Sequence, residues 1–451
     1  MLGIVVSRED AASEHIGEHL LSLRDWDRTT DDSRADADGG GTVYRTDAVE
    51  LREFESLHLD LENVASAFGG VDLLVFASKH AGETDELLTA HHTGNFGVAE
   101  YGGHDGRFAR ACPNAHREVV SALEDHAPSG YEVGMECTHH GPTDVGVPSM
   151  FVEVGSAREQ WEDPAAAEAV ASAILDVAEE APDAPRENGT RRHLVGLGGG
   201  HYAPRFERVV RETDWAVGHV AADWSLDALD EWADGEAERD AVLDRAFRAS
   251  AADYALMEGD RPGLRDAVES LGHRVVGETF VRETSGVPLG LVEELEADVQ
   301  TVEDGLRFGE RAVGYSGEWT VLDLPPDLLA DARGIDEETL RETLERRAVA
   351  FDTDQNGTVV MGPVVARAGT DTEAFVDPLA DILEDGYDSV GREGGDLVAR
   401  ETTFDPDLAR TAGVPEGPKF GKLVSGQSVE VDGEEISPER FQRERIRRYT
   451  L

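Results

Sequence analysis

Short apolar runs bounded by turn residues constrain the fold of this chain most strongly. Each has the length of a strand and is rich in Val, Leu, Ile or Phe. They span residues 2–6, 71–77, 133–137, 150–154, 193–197 and 215–221. Stretches with helical periodicity separate several of them, the clearest being residues 165–178, which follow an Asp-Pro pair suited to begin a helix. Strands that alternate with helices predict an α/β domain with a largely parallel or mixed sheet.

The length of the chain predicts two domains. Its 451 residues exceed the roughly 250–300 residues that one hydrophobic core usually serves. Strong apolar runs such as residues 71–77 do not recur after about residue 300, where short strands and helices mix. We therefore predict an α/β domain over residues 1–303 and a smaller α+β domain over residues 304–451.

The net charge of −53 excludes some classes of protein and indicates a salty solvent. The 94 acidic residues are spread along the chain, whereas only three of the 41 basic residues are lysines, and 40% of residues are hydrophobic. These numbers exclude a disordered acidic tail and a basic protein that holds nucleic acid by bulk electrostatics. At about 1 M salt the Debye length is only ~3 Å, so the carboxylates hardly repel one another. We interpret the chain as salt-adapted, or halophilic.

Two further patterns predict a cytoplasmic protein without a membrane partner. The chain has no run of about 18 apolar residues and no basic, then apolar, N-terminal signal segment. Its two cysteines, Cys112 and Cys137, are too few for a disulfide framework.

Histidines follow several of the predicted strands. His80, His139 with His140, and His201 come directly after three of the apolar runs, and His219 lies near the end of another. A lone histidine is usually a surface or core residue, but four separate occurrences favour a site. In open α/β sheets ligands bind beyond the carboxyl ends of the strands. We therefore expect these imidazoles to meet at one edge of the sheet.

The residues around the apolar run at 133–137 suggest a metal site. Glu136, Cys137, His139 and His140 lie within five residues, and imidazole with carboxylate or thiolate is a typical zinc donor set. If Glu136 and Cys137 continue the strand, their side chains point to opposite faces and only one meets the histidines. Glu136 is a candidate ligand or general base, whereas for Cys137 the pattern favours a small buried hydrophobic role over that of a ligand. No spacing matches a zinc ribbon or an H-E-x-x-H helix.

Two loops carry candidate substrate-binding groups. The glycine turn Gly198-Gly199-Gly200 fits neither a dinucleotide fingerprint nor a Walker A loop, but its amides could approach a phosphate, a carboxyl group or an oxyanion, with Arg205 as charge partner. The alternative is that these glycines allow close helix–sheet packing. His91 and Asn95 follow a predicted short helix over residues 84–90, and Asn95 could orient a carbonyl or close a turn.

Four segments together resemble the archaeal and plant type of D-aminoacyl-tRNA deacylase. They are Ser78-Lys79-His80, Leu88-Thr89-x-His91-x-x-Gly94-Asn95, Glu136-x-Thr138-His139-His140-Gly141-Pro142 and Gly198-Gly199-Gly200-His201-Tyr202-Ala203-Pro204. Their order and spacing match over roughly residues 1–300. His92-Thr93 departs from the Thr-Pro that is common there, and residues 304–451 exceed the minimal length of the family, which leaves their role open.

The resemblance implies a function and a site. The implied activity is hydrolysis of the ester between a D-amino acid and the tRNA 3′ end, by a zinc-containing monomer without a protein partner. The implied fold is α/β of the phosphorylase/peptidyl-tRNA-hydrolase-like type. On this basis the expected metal ligands are His80, His139, His140 and His201; the catalytic residues are Glu136, Thr138, His91 and Lys79; and the substrate-binding residues are Gly198, Gly199, Gly200, Tyr202, Arg205 and Asn95.

Two other functions stay open at this stage. One is a zinc-dependent amidohydrolase or peptidase that acts on small substrates without RNA. The other is a non-enzymatic tRNA-binding module, which the many strand-end histidines disfavour because a binding module needs few titratable groups in one crevice.

The charge of the chain predicts an unusual salt dependence of tRNA binding. Long-range repulsion between a −53 protein and RNA fades only in concentrated salt. Short-range arginine contacts must then carry binding, and residues 443–448 hold one arginine group, for which a solvated helix face is the alternative. We expect tRNA affinity, measured by fluorescence titration, to be weak at low KCl and to persist or rise at molar KCl. A steep loss with added salt, the ordinary behaviour of phosphate contacts, would contradict this expectation.

Overall fold

The chain divides into two compact units. The structure, a computed structural model, describes residues 1–431 and 433–451. The N-terminal unit comprises Met1–Ser285 and the C-terminal unit Gly286–Leu451. The sequence-based division between residues 303 and 304 stays a prediction about domains that fold independently. Among the helices described, none has the length and apolar character needed to cross a membrane.

The N-terminal unit alternates strands with helices, as the apolar runs predict. Its strands are β1 Leu2–Ser7, β2 Asp27–Asp31, β3 Gly41–Arg45, β4 Val49–Phe54, β5 Leu73–Lys79, β6 Leu87–His91, β7 Glu132–Met135, β8 Ser149–Gly155, β9 His193–Leu197, β10 Ala216–Ala221, β11 Tyr254–Met257 and β12 Arg274–Val276. Its helices are α1 Ala11–Leu23, α2 Pro113–His126, α3 Arg158–Trp161, α4 Pro164–Asp176, α5 Pro204–Glu212, α6 Asp223–Trp232, α7 Glu236–Ser250, α8 Pro262–Ser270 and α9 Glu278–Glu283.

Two sheets organise this unit. The larger has the strand order β2-β3-β4-β1-β5-β8-β6-β7, and the smaller has the order β10-β9-β11-β12 with parallel pairs throughout. In the larger sheet β1, β4, β5 and β8 run parallel, but β6 is antiparallel to β8 and β7 is parallel to β6. The sheet is therefore mixed, which confirms the prediction of an α/β domain with a largely parallel or mixed sheet.

Helices begin where the chain supplies capping groups. Asp10 precedes α1, and its side chain accepts the N–H groups of Ala12 and Ser13 at 3.0 and 3.1 Å. Asp163 and Pro164 begin α4 in the same way, and this helix buries an alanine-rich face. The helix predicted over residues 165–178 is thus confirmed to within two residues at its C-terminal end.

The helix predicted over residues 84–90 is wrong. The structure has strand β6, Leu87–His91, at this position, paired to β7 on one side and to β8 on the other. All five residues of β6 are buried. Leu and Ala favour helices locally, but burial between two strands overrides that weak preference.

The C-terminal unit combines antiparallel strands with helices, in agreement with the α+β expectation. Its strands are β13 Arg307–Phe308, β14 Trp319–Leu322, β15 Ala350–Asp354, β16 Val359–Arg367, β17 Ser389–Glu393, β18 Asp396–Phe404, β19 Val429–Val431, β20 Glu434–Ile436 and β21 Gln442–Tyr449. Its helices are α10 Leu289–Asp298, α11 Pro326–Ile335, α12 Glu337–Arg347, α13 Glu373–Glu384, α14 Pro406–Thr411 and α15 Pro418–Val424. The arginine group at residues 443–448 therefore lies on a strand, and the helix-face alternative is wrong.

A buried ion pair on β4 gives a stability prediction for the N-terminal unit. Arg52 donates to Glu50 at 2.6 Å and to Asp31 at 2.8 Å, and the side chains of Arg52 and Glu50 are 3% and 0% exposed. We expect Arg52→Leu to lower the free energy of unfolding by about 3 kcal/mol, because it removes one of the two arginines that pair with the buried Glu50 carboxylate among the described residues and leaves Arg45.

Urea unfolding of the full chain in molar KCl measures this effect. The matched control is Arg158→Leu, which removes a surface arginine whose side chain is 82% exposed beside Glu162. We expect the control to shift stability by about 0.5 kcal/mol or less. Equal unfolding midpoints for the two variants would contradict the assigned role of Arg52.

Candidate active site

The histidines meet over the face of the large sheet rather than at one edge. Strands β5 and β6 lie on either side of β8, but β5 runs parallel to β8 and β6 antiparallel. Their carboxyl ends are therefore at opposite edges, and the single-edge expectation is wrong. His91, at the end of β6, is in register with Phe151 of β8, and Ser78 of β5 is in register with Glu153.

A cavity of about 880 Å³ lies over this face. Part of its lining comes from the ends of strands and the loops that follow them, and part comes from α6 and the loop after β6. The lining includes Asp10, His58, Lys79, His80, Asn95, Phe96, Tyr101, Thr138, His139, His140, Phe151, Glu153, His201, Trp224 and Trp232. The cavity belongs entirely to the N-terminal unit.

Backbone contacts between the two sheets bring the loops together. The Cys137 amide donates to the His201 carbonyl and the Thr138 amide to the Val220 carbonyl, both at 2.8 Å. The Ala203 amide donates to the Met135 carbonyl at 3.0 Å. The segment after β7 is thus held against the segment after β9, which places their histidines side by side.

Three imidazoles are held in the same way by backbone carbonyls. His91, His139 and His140 each direct Nδ1 at a backbone carbonyl, of His92, Cys137 and Gly141, at 3.2, 2.8 and 2.7 Å. A carbonyl only accepts, so Nδ1 carries a hydrogen, and in the neutral ring Nε2 is the nitrogen whose lone pair is left for a metal ion. Metal-ligating histidines are commonly fixed in this way. Their ring centroids lie 4.3–4.9 Å apart.

Two buried carboxylates border these rings. The residues Glu136 and Glu153 are 2% and 4% exposed. Glu136 Oε2 accepts the Nε2 hydrogen of His201 at 2.7 Å, and its Oε1 lies 3.2 Å from Nδ1 of His80 but outside hydrogen-bond geometry. Glu153 lies 3.7 Å from both His80 Nδ1 and His91 Nε2.

The carboxylates shift the pKa values of the two nearest imidazoles upward. Burial alone would lower the pKa of His80, but the Glu136 and Glu153 carboxylates outweigh it and raise that pKa to about 11. Burial is likewise outweighed at His91, whose pKa Glu153 raises. Burial and neighbouring imidazoles lower the pKa of His139 well below its usual value and that of His140 to about 4. The site therefore favours added positive charge between the carboxylates and holds His139 and His140 neutral.

Both Glu136 and Cys137 approach the histidines, because the strand does not continue through them and the condition for opposite faces is not met. Strand β7 ends at Met135, before the alternation of faces reaches these residues. Cys137 Sγ lies 3.6 Å from Nδ1 of His201, and burial raises the pKa of the thiol to about 12. Among the described residues, three overlapping sets have ligand atoms within 4.8 Å of one another: His91, His139 and His140; Cys137, His139 and His201; and His80, Glu136 and Glu153.

Thr138 lines the cavity, but its hydroxyl is already bound to other groups of the protein. It accepts the Val220 amide at 3.0 Å and contacts Nδ1 of His219 at 3.0 Å. Because Nε2 of His219 donates to the Ala109 carbonyl at 2.9 Å, Nδ1 is the acceptor and the hydroxyl donates to it. Thr138 and His219 thus hold the segment that carries His139 and His140.

The glycine turn lies apart from this arrangement. The Gly198 amide donates to the Ala221 carbonyl at 2.8 Å and the Gly199 amide to the Asp223 carboxylate at 3.2 Å. Within the described residues, the cavity lining includes neither these glycines and Gly200 nor Arg205, which lies 3.5 Å from Glu278. Tyr202 contacts the site through its hydroxyl, 3.0 Å from Nε2 of His80.

Lys79 and Asn95 line the cavity. The Lys79 ammonium lies 5.5 Å from the ring centroid of Trp161. The Asn95 side chain donates to the Gly102 carbonyl at 3.0 Å, which supports the turn-closing alternative.

Sequence reasoning missed Glu153, Asp10 and the α6 wall. Glu153 was visible as a lone carboxylate inside the apolar run at residues 150–154. Asp10 was readable as a helix cap but not as a cavity residue. The tryptophans of α6 carry no local pattern that separates them from ordinary helix residues.

Comparisons with known proteins agree on one family. A family model described as D-aminoacyl-tRNA deacylase matches residues 68–276. A protein of Haloarcula marismortui named D-aminoacyl-tRNA deacylase is 74% identical over 451 residues, covering 100% of both chains. Proteins of the same name from Natronomonas pharaonis and Methanoregula boonei are 53% and 33% identical, covering 100% and 97% of this chain and 100% and 95% of the relatives.

A solved structure is also similar. The crystal structure of AF0625, titled a conserved protein of unknown function, is 26% identical with a TM-score of 0.54, and the match covers 63% of this chain and 98% of that one. The full-length relatives show that the C-terminal unit is not peculiar to this chain. With 74% identity over its whole length, this chain belongs to the D-aminoacyl-tRNA deacylase family.

Proposed function

We propose that the cavity hydrolyses the ester bond of D-aminoacyl-tRNA and releases free tRNA and a D-amino acid. The observation that carries this proposal is the convergence of His91, His139 and His140 with two buried carboxylates at the wall of a cavity of about 880 Å³, whose lining includes His139, His140 and Glu153. Ester hydrolysis needs a polarised carbonyl, a group that takes a proton from water and a group that gives one to the leaving oxygen. The site holds side chains for each role, either lining the cavity or in contact with lining residues such as His80 and His201. Family membership supplies the substrate class.

The residues present fit a zinc ion. Nε2 of His91 and Oε1 of Glu136 are buried and lack a hydrogen-bond partner, an expensive state that a cation would relieve. The nearby donors are imidazole nitrogens with carboxylate and thiol groups, the set that zinc prefers. His91, His139 and His140 would hold the ion, because their Nδ1–H groups are already bound to carbonyls. The ion would supply Lewis acidity toward the ester carbonyl and make a bound water more acidic.

The other side chains of the site then divide the proton transfers. Glu136, ionised and buried, takes a proton from the attacking water as the new bond to the ester carbon forms. As the bond to the ribose oxygen breaks, the Tyr202 hydroxyl donates to that oxygen, and His80 Nε2 replaces the proton across their 3.0 Å contact. His201 positions Glu136 through its Nε2–H. In this scheme His80 and His201, which sequence reasoning counted as ligands, flank the base.

Other predictions from the sequence remain part of the proposal. Lys79 is suited to a phosphate at the tRNA 3′ end because it lines the cavity and carries the charge. We also propose a phosphorylase/peptidyl-tRNA-hydrolase-like fold for the N-terminal unit, consistent with its mixed sheet, and a salt-adapted cytoplasmic monomer, consistent with the charge of −53.

Replacement of the base tests the proposed chemistry. Glu136→Gln keeps the size of the side chain and an acceptor for His201 but cannot take the proton. We expect kcat for deacylation of D-Tyr-tRNA in molar KCl to fall by about 10²–10⁴-fold. Glu162→Gln, which changes a carboxyl group 59% exposed on the surface, should keep the wild-type rate. Equal rates for the two variants would remove Glu136 from the mechanism.

The same assay separates the competing functions. Preference of the wild-type protein for free D-amino acid esters over D-Tyr-tRNA would favour a small-substrate hydrolase. Binding of D-Tyr-tRNA that leaves the ester intact would indicate a binding module.

Metal analysis tests the zinc assignment. We expect His140→Ala to lose the zinc that copurifies with wild type, because one of three imidazole donors is gone. His126→Ala, a control on the surface of α2, should keep it. His201→Ala should also keep zinc, and its loss there would move the ion to the set that contains Cys137. Full deacylase activity in chelator-treated, zinc-free protein would refute a catalytic zinc.

A further inference from the structure

Strand β21 reverses the charge of the chain. The last twelve residues, 440–451, contain five arginines and one acidic residue, Glu444, whereas the whole chain carries −53. Such asymmetry is typical of a segment that meets a polyanion.

The strand displays these arginines at regular intervals. β21 is the edge strand of the sheet β17-β18-β21, paired antiparallel to β18 over its whole length. Arg443, Arg445 and Arg447 share one face because side chains alternate along a strand, which spaces them about 6.7 Å apart. All three are exposed. The spacing between successive arginines on this face is close to the distance between neighbouring phosphates along an RNA strand.

Two of the four arginines on β21 form no ion pair with the residues that the structure describes, although the chain is rich in carboxylates. Arg448 contacts Glu393 and Asp396, both at 3.2 Å, and Arg447 lies 3.6 Å from Asp331. Arg443 and Arg445, in contrast, form no ion pair within residues 1–431 and 433–451, although Glu401 faces Arg445 across the ladder. Their guanidinium groups are left available to a ligand.

We propose that Arg443 and Arg445 bind the sugar-phosphate backbone of a tRNA. The guanidinium fork makes bidentate contacts to phosphate that survive in concentrated salt because they act at short range. The exposed Ile446 lies on the other face of the strand, so the arginine face offers no apolar anchor for a lipid surface. The identity of the polynucleotide as tRNA rests on the proposed function.

Binding of fluorescently labelled tRNA that carries no amino acid, by the full chain in molar KCl, tests this surface. We expect Arg443→Ala with Arg445→Ala to weaken affinity about tenfold, since two charge-assisted contacts are lost. The matched control, Arg248→Ala with Arg346→Ala, removes the same charge from arginines paired with Asp244 and Glu342 at 2.9 and 3.7 Å. It should change affinity less than about twofold.

Three outcomes would overturn the proposal. One is affinity of the β21 variant within about twofold of wild type. Another is an equal loss in both double variants, which would assign the effect to net charge. The third comes from Arg443→Lys with Arg445→Lys, which keeps the charge and should recover part of the affinity; no recovery would place the loss in the strand itself. Because this tRNA carries no amino acid, the measured affinities do not depend on ester cleavage. Wild-type protein that binds tRNA but leaves D-Tyr-tRNA intact would overturn the proposed function alone.

Discussion

The burial of two carboxylates beside each other is the constraint on which the site depends. Glu136 and Glu153 are nearly inaccessible to water, and an uncompensated buried carboxylate costs several kcal/mol. Four imidazoles, those of His80, His91, His139 and His201, lie within 4 Å of them. The carboxylates raise the pKa values of His80 and His91, so the site attracts positive charge, whether a proton or a metal ion. The chemistry proposed for the site follows from this compensation of buried negative charge by protons or a metal ion.

The antiparallel pairing of β6 with β8 explains where the carboxylates and imidazoles can meet. In an all-parallel sheet, residues that follow strands collect at one edge, open to water. Here β6 enters antiparallel, and its His91 comes to lie over the face of the sheet near Phe151. Segments from the second sheet then cover this face, as the contact of Cys137 with His201 illustrates. The rings are consequently more buried than side chains at an open edge would be.

Local patterns predicted much of the fold, and tertiary pairing decided the rest. The apolar runs located most central strands, and Asp163-Pro164 located the start of α4. The segment Leu87–His91 was misread because its leucines and alanine favour a helix, and only pairing with β7 and β8 makes it a strand. Among the candidate site residues, those near His139 and His140 came together because short segments carry them. The roles of Gly198 and Gly199 could not be predicted from the local sequence. Their amides donate to Ala221 of β10 and Asp223 of α6, which come later in the chain.

The charge of the chain and the position of its free arginines are two sides of one electrostatic problem. At molar salt the Debye length is about 3 Å, so a surface of carboxylates neither repels RNA from afar nor prevents close contact. An arginine held by a neighbouring carboxylate must give up that partner before it binds phosphate, whereas Arg443 and Arg445 have no such partner in the part of the chain that the structure describes. A strongly acidic protein can therefore bind RNA if a few arginines are kept free of its own carboxylates. An exposed edge strand suits this purpose, because it pairs with a neighbouring strand on one side only and its other side is open to a ligand.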